Sequence, residues 1–128
     1  MGELSSLERA AIAAILEEMG EQRALLEQQM LQAKVRSREN TGGGFVTELE
    51  VGSTADSLGK KTAPLGQNVW ISIDGLNFGL GMILHLKEGR ADLLEGYAVG
   101  PEDTSLIDFE HVPYAMTEEP GPLRRNGS

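Results

Sequence analysis

A chain of 128 residues, 40% of them hydrophobic, is long enough for one domain with a modest core and too apolar for a disordered polypeptide. Its formal net charge of −9 argues against nucleic acid or an anionic membrane as partner, because both select Lys and Arg. It contains no cysteine, which excludes disulfides, thiolate nucleophiles and cysteine-based zinc sites.

Residues 5–37 read as one long helix. Ser5 followed by Glu8 has the spacing of a capping box, in which each side chain satisfies a free backbone N–H near the other. Ile12, Leu16, Met19, Leu26, Met30 and Ala33 fall on one stripe. Gly20 is the weak point, costing about 1 kcal/mol against Ala inside a helix. No loop-forming cluster surrounds it, so a continuous helix is expected. Asn40-Thr41-Gly42-Gly43-Gly44 ends that segment.

Beyond the glycines the period changes from helical to alternating. Phe45, Thr47, Leu49 and Val51 share one face of a first strand. Residues 52–67 read as a loop. Val69, Ile71 and Ile73 alternate with Trp70, Ser72 and Asp74 in a second strand, and Leu80–Lys87 alternates in a third. Lys87-Glu88-Gly89-Arg90 reverses the chain, with Gly89 suited to a three-residue hairpin loop and bulge. Residues 91–98 return as a fourth strand and 105–111 offer a fifth. The last segment, 117–128, is polar and rich in Pro and Gly and is expected to be a disordered tail. The expectation is an α+β domain over residues 1–116: a long N-terminal helix (5–37) followed by an antiparallel meander sheet of four to five strands (45–112).

The crowded glycines of GLNFGLGMILHLKEGRADLLEGY, residues 75–97, invite a phosphate-loop reading. A phosphate loop feeds a helix N-terminus, whereas Gly79 and Gly81 lead into a strand, so turn geometry is the better account. His85 and His111 sit on different strands and are not expected to share a metal. Asp92 and Glu95 are three apart, which places them on opposite faces of a strand. No nucleophile elbow, triad spacing or dinucleotide fingerprint is present, so no catalytic residue, metal site or cofactor is expected. Gly79, Gly81, Glu95 and Tyr97 remain candidates for a small-ligand site between sheet and helix. Trp70 lies on the strand face opposite Ile71 and Ile73, and together with Leu26 and Met30 is a candidate for protein contact.

A helix over 5–37 would run to about 50 Å, while a seven-residue strand spans roughly 23 Å. The overhang points to a homodimer, and the acidic charge to a basic protein partner if there is one. No apolar run approaches the roughly eighteen residues that cross a membrane. The stretch MGELSSLERA lacks the layout of a secretory signal, so the expected location is the cytoplasm.

Several short motifs occur in a familiar order: Arg38-Glu39-x-Thr41-Gly42-x-Gly44-Phe45, then Ile73-x-Gly75-Leu76-x-x-Gly79-x-Gly81, then Gly89-Arg90 and Leu94-Glu95-Gly96-Tyr97. Over residues 35–100 the chain resembles a family of small uncharacterised bacterial α+β proteins. The resemblance implies bacterial origin and an α+β fold and supplies no catalytic residue. Leu86 and Ala98 stand where that family often has aromatic side chains. Two functional expectations follow. The first is a non-enzymatic protein-interaction module of an adaptor, chaperone-like or immunity type. The second is a small-ligand-binding protein or minor hydrolase.

Overall fold

The computed structural model describes residues 3–52, 64–66 and 68–123. The N-terminal segment holds two helices, α1 (Ser6–Glu17) and α2 (Arg23–Gln32), in place of one. The capping box is formed: Ser5 Oγ accepts from the Glu8 N–H at 3.2 Å and Glu8 Oε1 accepts from the Ser5 N–H at 2.7 Å. Gly20 lies in the connection, so the expected overhang does not exist. The break lets both apolar stripes reach the same sheet, with Leu7, Ala11, Ile12 and Ile15 buried on α1 and Leu26 on α2. Gln29 fixes α2 in place. It is fully buried, donates to the Gly89 carbonyl at 2.8 Å and accepts from the Ala91 N–H at 2.9 Å.

The end of the expected helix is a strand, β1 (Lys34–Asn40). Only Val35 is buried along it, so it shows no apolar alternation that a sequence reading can detect. It hydrogen-bonds to β2 (Gly44–Glu50), and β3 (Trp70–Ile73), β4 (Leu80–Lys87), β5 (Arg90–Ala98) and β6 (Tyr114–Thr117) complete a six-stranded sheet. The order is β1-β2-β5-β4-β3-β6, with every neighbouring pair antiparallel. The sheet is not a simple meander, because β2 pairs with β5 and the chain crosses over before β3. Residues 53–63 of that crossing lie outside the described residues; Leu65, beyond them, bridges Leu84 at the edge of β4.

The β4–β5 reversal is tighter than expected. Lys87 pairs with Arg90 across two loop residues, Glu88 and Gly89, at φ 53° and 77°, which matches a type I′ turn. The register shift falls within the strands, between His85 and Leu86. Residues 105–111 form turns instead of a fifth strand. Asp103 and Asp108 capture the N–H groups of Ser105 and Glu110, at 2.9 and 3.0 Å, which bends the chain locally. The sixth strand follows and pairs with β3. Beyond it the Gly121 N–H donates to the Phe78 carbonyl and its own carbonyl accepts from Ser72 Oγ, so part of the expected tail packs beside β3. Residues 124–128 lie outside the described residues.

The cross-strand pairs fix which side chains share a face. Thr47, Leu94 and Leu84 form one row, and Phe45, Gly96 and Met82 the next, both toward the helices. The core sits in that single layer, with Ile71, Ile73, Leu80, Leu84 and Leu94 at 0–1% exposure. Gly79 shows why a glycine opens β4. Its φ is 71°, and a Cβ there would strike the carbonyl of Ile71. Replacing Gly79 by Ala is therefore expected to lower stability by about 2–4 kcal/mol, combining the left-handed backbone with a backbone clash. Gly20 has open space around it and no positive φ. Gly20→Ala is expected to be neutral or to stabilise by up to about 1 kcal/mol through the unfolded chain. Urea midpoints of the two variants measured side by side check the contrast.

Candidate functional site

Among the described residues, one charged side chain is buried in the helix-facing layer. Glu8, 2% exposed, faces Thr47 of β2 and Arg38 of β1, which are direct cross-strand partners. Its carboxylate accepts four hydrogen bonds: from the Ser5 N–H at 2.7 Å, Arg38 Nη2 at 2.8 Å, Arg38 Nε at 2.9 Å and Thr47 Oγ1 at 2.5 Å. Arg38 extends the network, donating to the Glu3 carbonyl at 2.7 Å and pairing with Glu110 Oε1 at 2.7 Å. Burial alone pushes the Glu8 carboxyl up. The hydrogen bonds from Arg38, Thr47 and Ser5 outweigh it, and the group ends below its ordinary value of 4.5. Hydrogen bonding to Glu8 raises Arg38 in turn. An ionised, fully solvated-by-protein carboxylate has no proton to donate and little basicity, so this centre holds structure instead of performing acid–base chemistry.

A cavity of about 190 Å³ adjoins it, lined by Leu7, Phe45, Ile107 and Phe109 along with Arg38 and Glu110. That is below the volume of ordinary small-molecule sites. Among the described residues no buried side-chain nitrogen or oxygen lacks a hydrogen-bond partner, so none there waits for a ligand. Asp108, Glu110 and His111 bring three metal-capable atoms within 4.8 Å of one another, all on exposed side chains. All three of those groups are already engaged. His111 Nδ1 lies 2.7 Å from Asp108 Oδ2, a contact that raises the imidazole pKa, and Glu110 binds Arg38. His85 is remote in the sheet and pairs with Glu95 at 2.9 Å.

The opposite face of the sheet has a different character. Trp70, Gly81 and Tyr97 form one cross-strand row, Ile83, Glu95 and Val46 the next, and His85, Leu93 and Glu48 a third. Both helices lie on the other side, and among the described residues no helix covers these rows. Trp70, Tyr97, Ile83, Leu93 and Val46 are each partly exposed. The Tyr97 ring lies flat over Gly81, where any Cβ would collide with it, and Trp70 meets it edge-on with centroids 6.5 Å apart. Gly81 thus makes room for an aromatic ring on a solvent-facing surface. Carboxylates lie in and beside these rows: Glu95 between Ile83 and Val46 and bonded to His85, Glu48 paired with Arg36 at 3.0 Å, and Glu39 opposite Val46.

The structure brings three of the four residues expected at a ligand site together, but not between sheet and helix. Gly81, Glu95 and Tyr97 lie on the uncovered face, and Gly79 is in the turn before β4. Trp70 joins them. Leu26 is fully buried and unavailable to a partner, whereas Met30 is half-buried in a groove between the helices. The glycine-rich turn before β4 does hold an anion, supplied by the chain itself. The N–H groups of Asn77 and Phe78 donate to the Glu102 carboxylate at 2.6 and 3.0 Å. The Glu8–Arg38 centre was not visible in the sequence beyond the capping box, because the two residues stand thirty positions apart. No protein-family model, curated protein or solved structure matches this chain.

The depressed Glu8 pKa fixes the sign of a pH effect. Its stabilisation is fully present above the unfolded value and is lost as the pH falls through the lower folded value. Glu8→Gln is expected to cost about 2 kcal/mol near pH 7, because the part-exposed Arg38 guanidinium loses its carboxylate partner while keeping Glu110. Toward pH 3 the gap between variant and parent should narrow, because the parent loses the same interaction as its carboxylate protonates. Urea unfolding at both pH values measures this.

Proposed function

We propose that the protein is a non-enzymatic protein-interaction module, of an adaptor, chaperone-like or immunity type, that receives a basic, partly apolar segment of another protein on its uncovered sheet face. One observation carries the reading: Trp70, Tyr97, Ile83, Leu93 and Val46 gather on one sheet face that, among the described residues, no helix covers. A sheet with one solvated face ordinarily alternates apolar inward and polar outward. Aromatic side chains in that position mark contact surfaces. The sign of the partner comes from Glu39, Glu48 and Glu95, set against Arg36 and His85, and from the net charge of −9.

The filled interior supports this reading over a ligand site between sheet and helix. Met82, Leu84 and Leu94 occupy that space at 0–1% exposure. The family resemblance extends the proposal to a bacterial protein, and the cysteine-free composition supports a cytoplasmic one. A second copy of the chain is also among the proposed partners, on a different face taken up below.

Trp70 is the sole tryptophan, so its fluorescence reports directly on the patch. Display selection from a random peptide library, with counter-selection against Ile83→Asp, should enrich sequences that combine Lys or Arg with large apolar residues. A synthetic peptide from that set should shift Trp70 emission, weaken several-fold between about 50 and 500 mM salt, and bind Trp70→Ser at least about tenfold less tightly, or about 1.4 kcal/mol. Selected peptides that bind the parent and both patch variants equally would overturn the proposal, as would a selection that enriches nothing.

A further inference from the structure

The outer side of the helical hairpin carries a second feature. A groove of about 530 Å³ runs between α1 and α2. Its walls are Leu4, Ala13, Leu16, Met30, Leu31 and Ala33. Leu31 is 81% exposed, although it stands beside these other apolar side chains. α2 has little support of its own: it is ten residues long and its N-cap makes no side-chain hydrogen bond. Helices that short depend on packing.

The charges around the groove indicate what covers it. Two carboxylates, Glu3 and Glu27, and two cations, Arg9 and Lys34, line it, with Glu3 3.9 Å from Arg9 and Glu27 bonded to Arg23, so the rim is locally neutral on a chain whose net charge is −9. A two-fold axis here would bring a rim of both signs onto its own copy, so like charges need not face one another, as an isologous contact requires. A basic partner gains nothing at a neutral rim, whereas the acidic sheet face attracts it.

The available area sets the strength. At 1.5 Å per residue the helices run roughly 18 and 15 Å, and packed about 8–10 Å apart they present a face of roughly 350 Å² in projection. Two such faces total roughly 700 Å² in projection, and side-chain relief brings the accessible area toward the roughly 1,000 Å² of a small specific interface. We propose that this groove is the interface of a weak symmetric homodimer, with Leu31 of each copy seated against the apolar wall of the other. The dimer leaves the Trp70 face free, so its failure and the failure of the proposed function are separable.

Sedimentation of the full chain from about 2 to 200 µM tests it. The mean mass should rise from one chain toward two, with Leu31→Glu weakening association at least tenfold. Leu106→Glu makes the same change at a side chain 99% exposed and outside the groove, and should associate like the parent. The absence of cysteine permits a second measurement. Under mild oxidation Leu31→Cys should form covalent dimers well ahead of Leu106→Cys, and this pair decides the matter if Leu31→Glu fails to fold. A parent that stays monomeric throughout, a Leu31→Glu variant that associates normally, or equal cross-linking of the two cysteine variants overturns the proposal.

Discussion

Among the described residues the Glu8 carboxylate is the one charge buried in the layer between helices and sheet, and several elements converge on it. It caps its own helix through Ser5 and joins α1 to β2 through Thr47 and to β1 through Arg38. Through Arg38 and Glu110 it also holds the turn-rich segment that precedes β6. A buried ion pair carries a desolvation penalty that often cancels its attraction, so net stability is not its main contribution. Its geometric effect is larger. An apolar stripe slides over an apolar sheet at little cost, but a carboxylate with four directed donors has one register and one rotation. Where α1 lies on the sheet is decided at this point.

That placement has a consequence for the other side of the molecule. α2 follows α1 across a short connection, and Gln29 anchors it over the β4–β5 hairpin. Both helices therefore occupy the same face, and among the described residues none remains for the second. Side chains alternate along every strand, so Trp70, Ile83, Leu93, Val46 and Tyr97 all point away from both helices. The conserved parity of the cross-strand pairs gathers five scattered apolar residues into one patch. No two of them are adjacent in sequence, and four strands contribute.

Much of the sheet was legible in advance because its strands alternate strongly. Phe45–Val51, Val69–Ile73 and Leu80–Ala98 carried the signal, and the hairpin at Gly89 followed from its turn residues. Misreadings arose where local sequence carries little information. β1 has one buried apolar residue, and its Arg, Glu and Ser content fits a helix surface equally well. Its strand conformation comes from the edge of β2. The break at Gly20 is decided by how much sheet the helices can cover, which no window around Met19-Gly20-Glu21 records. The pairing of β2 with β5 joins segments some forty residues apart and is invisible to periodicity. The candidate surface was partly legible: Trp70 and Tyr97 were singled out and face the same way, but their union with Ile83, Leu93 and Val46 needed the strand order.

The glycine-rich turn before β4 shows how close a binding motif and a structural one can be. Its amides do converge on a carboxylate, as those of an anion-binding loop do. The anion is Glu102, delivered by the chain after β5, so the contact closes a loop where it might have held a ligand in a different protein. The same holds for Glu8 and Arg38, whose charges satisfy each other. The interior is thus electrostatically self-contained, and the unbalanced negative charge is left to the surface. There it is unevenly spread: the groove between the helices is neutral at its rim, and the uncovered sheet face is bordered by more carboxylates than cations. Two surfaces that differ in this way select different partners. A neutral, self-complementary rim admits a like molecule, and an aromatic patch bordered by carboxylates admits one of opposite charge, so one acidic chain can carry both contacts without their competing.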